Sequence, residues 1–199
     1  MNRAVQGRRY APLTENIEIY HQKKEKNMNI VVIDTETKGL IAGVDEVLQI
    51  SAIDGNGRTL LNALIRPEHT KSWPEAEVVN GITPERVKFC PTISDYKTAI
   101  AKIISNSDLL IGYNLKFDLK MLVGSGINLP SNLKTSGVML DFAEIYGKWN
   151  DYYGCYKWQK LTTAARYYGF DYHGEEHDSL ADCRATLWCW KKMQTRTCN

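Results

Sequence analysis

Residues 29 to 36 read Asn29-Ile30-Val31-Val32-Ile33-Asp34-Thr35-Glu36. An unbroken β-branched run of this length reads as a strand buried on both faces, of the kind found at the centre of a sheet covered by helices. It delivers two carboxylates, Asp34 and Glu36, at its end. Their i, i+2 spacing puts both on one side of an extended chain, at the strand's carboxyl end, where open α/β sheets carry their active-site crevice.

Working outward, Val47 to Ile53, the Asp54-Gly55-Asn56-Gly57 turn and Thr59 to Ile65 carry a hairpin signal, with Pro67 stopping the second strand. Thr83-Pro84 reads as an N-cap followed by proline at the first helical position, and a longer helix runs from about Ser94 to Asn106 with Tyr96, Ile100, Ile103 and Ile104 on its apolar face. Leu109 to Tyr113 is a further strand, followed by a helix from Asn114 or Leu115 to Val123 that ends at Gly124. A strand near Gly137 to Leu140 feeding a two-turn helix, a helix over Lys157 to Tyr168 closed by Gly169, and a helix over Ser179 to Met193 complete the pattern. A strand hairpin followed by alternating helices and strands specifies an α/β fold with a mixed sheet.

The 199 residues suffice for one domain with a short appendage, and 43% hydrophobic with 24% charged residues is the balance of a globular chain rather than a disordered one. Composition shifts abruptly at Met28. Residues 1–29 hold six Lys/Arg against three Glu, which leaves the remainder slightly acidic within a net charge of +2. That excludes duplex binding by bulk charge alone. The boundary therefore separates a basic extension, 1–27, from a body, 28–199. Within the extension Leu13, Ile17 and Tyr20 share a helical face behind Thr14, consistent with either a docked helix or a loose arm. Five scattered cysteines with no C-x-x-C pair fit a reducing, cytoplasmic setting and offer no zinc motif, and no run approaches the length of a membrane span.

Two more acidic segments join the first. In Asn114-Leu115-Lys116-Phe117-Asp118 the acid lies one turn into a helix, facing back toward the sheet. In His177-Asp178-Ser179-Leu180-Ala181-Asp182 a loop histidine precedes a helix whose apolar stripe is Leu180, Cys183, Leu187 and Trp190, leaving Asp182 beside the core face. Taken alone, each segment reads more often as a cap or a surface acid than as a ligand. Four carboxylates converging on one crevice repel one another unless cations neutralise them, which points to hard divalent ions, Mg²⁺ or Mn²⁺. Two such ions about 3.5 to 4 Å apart serve in-line attack on a phosphodiester. A histidine, whose unperturbed pKa is about 6.5, suits removal of a proton from the attacking water.

The succession Asp-x-Glu at 34–36, Asn-x-x-Phe-Asp at 114–118 and His-x-x-x-x-Asp at 177–182 resembles the DEDDh 3′-to-5′ exonucleases. Its nearest branch is similar to the DnaQ-like one, which holds the epsilon proofreading subunit of bacterial DNA polymerase III. The resemblance spans about residues 28 to 193. It implies an RNase H-like fold with helices on both sheet faces, and release of nucleoside 5′-monophosphates from 3′ ends, with two divalent cations as cofactors. By position Asp34 is implied to bridge both metals, Glu36 and Asp182 to hold the one at the nucleophilic water, Asp118 to serve the other, and His177 to act as general base. Thr35 and Leu40 match positions that meet the terminal nucleotide, and Asn114 is grouped with them as a substrate contact. Tyr113 departs from the family, which often has histidine there.

His173 and Asp178 repeat the His-x-x-x-x-Asp spacing, but that register places the acid ahead of the amphipathic helix. Tyr167 and Asp171 mimic a tyrosine-using branch, yet Gly169 ends the helix between them. The partner implied is single-stranded nucleic acid or a 3′ end, with DNA first, RNA as the alternative, and an inactive binding module of the same fold as a third reading. A DNA polymerase partner is open, although only 17 residues follow Asp182 and no long tethering segment of the epsilon kind is expected. Aromatic residues crowd positions 146–172. Most are expected to pack in the core or anchor loops, with base stacking as the other use.

Overall fold

The computed structural model describes residues 28–172 and 177–195. The basic extension with its possible helix, His173 and the last four residues lie outside the described residues. Strands β1 (Ile30–Thr37), β2 (Val47–Asp54), β3 (Thr59–Leu64), β4 (Leu109–Gly112) and β5 (Thr135–Gly137) form one sheet in the order β3-β2-β1-β4-β5. β1 pairs antiparallel with β2 and parallel with β4, so the sheet is mixed and the β-branched strand is central. The hairpin closes through Asp54, whose carboxylate accepts from the Asn56 and Arg58 N–H groups at 2.9 Å.

Among the described residues seven helices accompany the sheet: α1 (Pro74–Asn80), α2 (Pro84–Val87), α3 (Ile93–Ser105), α4 (Leu115–Gly124), α5 (Val138–Tyr146), α6 (Leu161–Tyr167) and α7 (Ser179–Gln194). The expected start signal at Thr83-Pro84 operates, and α3 carries a cap that the residue pattern left unmarked. Thr83 accepts from the Arg86 N–H at 3.2 Å ahead of Pro84, and Thr92 forms a reciprocal capping box with Asp95 at the head of α3.

Side-chain alternation along β1 sorts the two layers. Ile30 and Val32 enter a core with Phe142, Ala164, Cys183 and Leu187 from α5, α6 and α7. Val31 and Ile33 enter the opposite core with Ile100, Ile104, Leu115 and Leu122 from α3 and α4. Continued past Ile33, the alternation brings Thr35 to the α4 side. Asp34 and Glu36 fall on the α7 side.

Three local expectations need correction. The strand near 137–140 is β5 at Thr135–Gly137, and Val138 already begins α5. An apolar Val-Met-Leu run has no distinguishing period, and burial of Val138, Phe142 and Ala143 on one helical face decides it. The helix placed at 157–168 starts only at Leu161, because the Lys157 N–H donates to the Lys148 carbonyl at 2.7 Å and Lys160 is extended. The residues ahead of it make a two-stranded ribbon, β6 (Trp149–Asn150) and β7 (Cys155–Tyr156), that alternation in the sequence does not signal. Its aromatics are not core. Tyr172 is buried, whereas Trp149, Tyr152, Tyr153, Tyr156 and Trp158 are exposed.

Candidate active site

The parallel register sets Val31 beside Leu110 and Val32 beside Ile111, so β1 runs on past the end of β4 while the chain there turns into α4. Asp118, one turn along α4, is thereby carried over Thr35. The Thr35 hydroxyl donates to Asp118 Oδ1 at 2.7 Å and the Thr35 N–H donates to the same oxygen at 3.1 Å. Both residues are buried. Immediately beyond Glu36 the β1–β2 register shifts, a bulge at the point where the strand leaves the site.

On the other face α7 is fixed by its first turn. Asp178 caps it, Oδ1 accepting from the Leu180 and Ala181 N–H groups while Oδ2 accepts from the Gln49 side-chain amide at 3.0 Å. The Ser179 and Ser51 hydroxyls are 2.7 Å apart, and the Cys183 thiol lies against the Val32 and Ser51 carbonyls. With α7 tied to β1 and β2, Asp182 stands next to Glu36. Ligand atoms of Glu36, Asp182 and the exposed His177 all lie within 4.8 Å of one another. His177 reaches that position with a left-handed backbone, φ 64°.

The carboxyl groups of Asp34, Glu36 and Asp118 resist ionisation together. Burial, then the charges of Asp118, Asp182 and Glu36, hold Asp34 well above the usual carboxylate range. Glu36 is pushed up to about 8 by burial and by Asp182, against an opposing hydrogen bond from Asn80. Asp118 is pushed up to about 7 by burial, with the two Thr35 hydrogen bonds working the other way. The leading charges acting on Asp34 and Glu36 are other carboxylates. A divalent cation with oxygen ligands is the partner such a set fits, since it relieves both the burial penalty and the mutual repulsion.

The remaining sequence candidates fall around this centre. Asn114 heads α4 with an exposed side chain that makes no capping bond, so it is not a side-chain cap. Leu40 is 81% exposed on a loop pinned by Asp45, which accepts from the Ile41 N–H and pairs with Lys38. That loop abuts Gly124 at the end of α4, where a side chain would collide with the Gly43 backbone. Tyr113 is buried and donates to the Gln159 carbonyl at 2.8 Å.

Sequence reasoning missed Asn80, which belongs to α1 and also approaches the Thr37 carbonyl. The signals were present, since Pro74 opens α1 and Gly81 closes it with φ 64°. It missed Tyr172 as well, whose hydroxyl is held above its ordinary range by burial beside Asp182. A cavity of 320 Å³ opens next to His177 and Asp178, with Gln49, Asn80, Arg86 and Arg184 in its wall.

Residues 31–188 match the RNase T exonuclease family. The chain is 37% identical over 168 residues to a protein named uncharacterized exonuclease CP81 from Escherichia phage 186, covering 79% of this chain and 84% of that one. RNA exonuclease 4 of Gibberella zeae is 27% identical over 188 residues, 92% of this chain, which spans only 52% of the fungal protein. The zinc-bound complex of E. coli exonuclease I with single-stranded DNA has a TM-score of 0.70 at 18% identity, covering 86% of this chain and 41% of the enzyme, a likeness of fold. Because the matched span includes all three acidic segments and the phage relative is covered over most of its length, the chain belongs to the RNase T exonuclease family of the DnaQ-like superfamily.

Proposed function

We propose that this exonuclease removes nucleoside 5′-monophosphates from the 3′ end of DNA, using two divalent cations, Mg²⁺ or Mn²⁺. The observation that carries the reading is the convergence of Asp34, Glu36, Asp118 and Asp182, with the proton affinities of Asp34, Glu36 and Asp118 raised by burial and by their carboxylate neighbours. DnaQ-like exonucleases use divalent metal ions. In this chain Asp34, Glu36 and Asp182 would hold one and Asp34 and Asp118 the other. Bound there, the ions supply charge neutralisation, polarisation of the phosphate and activation of water.

The chain's own groups do the rest. Thr35 keeps Asp118 aimed at the crevice through its two hydrogen bonds. His177, on the open side of Glu36 and Asp182, accepts the proton as water oxygen bonds to phosphorus and the P–O3′ bond breaks. The products are a nucleoside 5′-monophosphate and a strand with a new 3′-hydroxyl. Arg86 and Arg184 in the adjoining cavity put positive charge where a phosphate approaches an otherwise acidic centre.

A second reading, an exoribonuclease, is favoured by the match to the fungal RNA exonuclease over nearly the whole chain. The test incubates the protein with Mg²⁺ or Mn²⁺ and 5′-labelled single-stranded DNA and RNA of matched sequence. A metal-dependent ladder shortening from the 3′ end, faster on DNA, is expected. Faster shortening of RNA selects the second reading, and internal or 5′ cleavage overturns both.

A further inference from the structure

We infer that the β6–β7 ribbon is a stacking platform for single-stranded nucleic acid, a binding element separate from the carboxylates. It deepens the proposed function and rests on nucleic acid being the substrate. Between Lys148 and Lys160 the chain carries five large rings, and all are exposed: Trp149 by 52%, Tyr152 by 87%, Tyr153 by 72%, Tyr156 by 41% and Trp158 by 59%. So much aromatic surface gathered in one place is not the ordinary scatter of single apolar residues on a protein exterior.

The ribbon is held by bonds of its own. Trp149 pairs with Tyr156 and Asn150 with Cys155. The Asn150 side-chain oxygen accepts from the Tyr152 and Tyr153 N–H groups at 3.1 and 3.3 Å, and the Gly154 N–H returns to the Asn150 carbonyl. Trp149 and Tyr156 meet edge to face at 5.1 Å, and so do Tyr152 and Tyr153 at 4.8 Å. Edge-to-face pairs leave flat faces open, and a flat face takes any nucleobase with little regard to sequence.

Charge selects the occupant. Lys148, Lys157 and Lys160 flank the rings, against Asp151 as the one acid from 148 to 160. Rings interleaved with lysines suit bases alternating with phosphates better than an apolar protein face. Position agrees, since the exit from β7 is anchored where Tyr113 donates to the Gln159 carbonyl, and Tyr113 stands at the end of β4 immediately before the segment bearing Asn114 and Asp118. The chain leaving the platform is thus anchored at the carboxyl end of β4, the end from which the segment bearing Asp118 departs.

The test uses the full chain and a fluorescein-labelled oligothymidylate 20-mer, with binding followed by anisotropy in chelator. Hydrolysis of the p-nitrophenyl ester of thymidine 5′-monophosphate, which has no second base, is followed in parallel with metal. In Tyr152→Ala/Tyr153→Ala/Trp158→Ala the dissociation constant for the 20-mer should rise about tenfold or more. kcat on the ester should stay within twofold. Tyr152→Phe/Tyr153→Phe should bind as the parent does, and Lys148→Glu/Lys157→Glu should weaken binding and flatten its salt dependence.

Unchanged 20-mer affinity in both the ring and lysine variants overturns the platform and leaves the ribbon as a protein-docking face. Failure of the parent to bind the 20-mer also overturns it. If the parent binds through the rings but hydrolyses neither substrate, the platform stands and the hydrolase reading falls.

Discussion

Thr35 and Asp118, 83 positions apart, are joined by two hydrogen bonds to one carboxylate oxygen, 2.7 Å from the hydroxyl and 3.1 Å from the N–H. Both donors favour the ionised acid and partly offset the burial that raises its proton affinity. Thr35→Val keeps the shape and the N–H but removes the hydroxyl. The half-saturating Mg²⁺ concentration should rise several-fold, with activity recovering at high metal, and stability should fall by about 1 kcal/mol. Thr35→Ser should behave as the parent. An unchanged metal titration with a raised KM for the oligonucleotide would instead assign the Thr35 hydroxyl to the terminal nucleotide.

The raised carboxyls also make the metal-free protein pH-sensitive. Glu36 protonates at about 8 and Asp118 at about 7 when folded, whereas unfolded carboxyls titrate near 4. The folded state therefore binds more protons across the interval between, and its stability falls as pH rises through it. In chelator the melting temperature should be higher at pH 5.5 than at pH 8. Saturating Mn²⁺ should raise it more at pH 8 than at pH 5.5. Equal shifts by Mn²⁺ at both pH values would separate the cation from these acids.

The central strand, its two acids and the two later acidic segments were readable because each combines a long periodic element with a sharp terminus, such as Ile30 to Ile33 before Asp34 or Asp178 before α7. The relation of Thr35 to Asp118 was not, because it depends on how far β1 overruns β4, and register is a tertiary property. Asn80 was hidden for another reason. Helix α1 has no fully buried residue, so no apolar stripe marks it, and only Pro74 and Gly81 give it away. The aromatic ribbon defeats composition outright, since rings and lysines in alternation describe a packed loop as well as an exposed platform until β6 and β7 are paired.

Removing the charge of Asp34 separates catalysis from stability in opposite directions. Asp34→Asn preserves shape but takes the buried Asp34 charge out of the carboxylate cluster. Metal-dependent hydrolysis should disappear. At pH 8 in chelator the variant should melt above the parent, at about 2 to 4 °C for each kcal/mol of repulsion relieved in a domain of this size. Most of the activity surviving would remove Asp34 from the site.

His177 carries the last prediction, and its backbone dictates the substitution. At φ 64° an alanine would add strain of its own, whereas asparagine tolerates the left-handed region and cannot take a proton near neutrality. His177→Asn should therefore keep the parent's melting temperature and its affinity for a 20-mer. Turnover should drop by about 10² to 10⁴-fold at neutral pH, the usual share of a positioned base. Because hydroxide replaces the lost base, the deficit should narrow as pH rises, which a purely structural defect would not do. If His173→Asn produces that loss and His177→Asn does not, the histidine register shifts by four residues, and the closeness of His177 to Glu36 and Asp182 has no role in proton transfer.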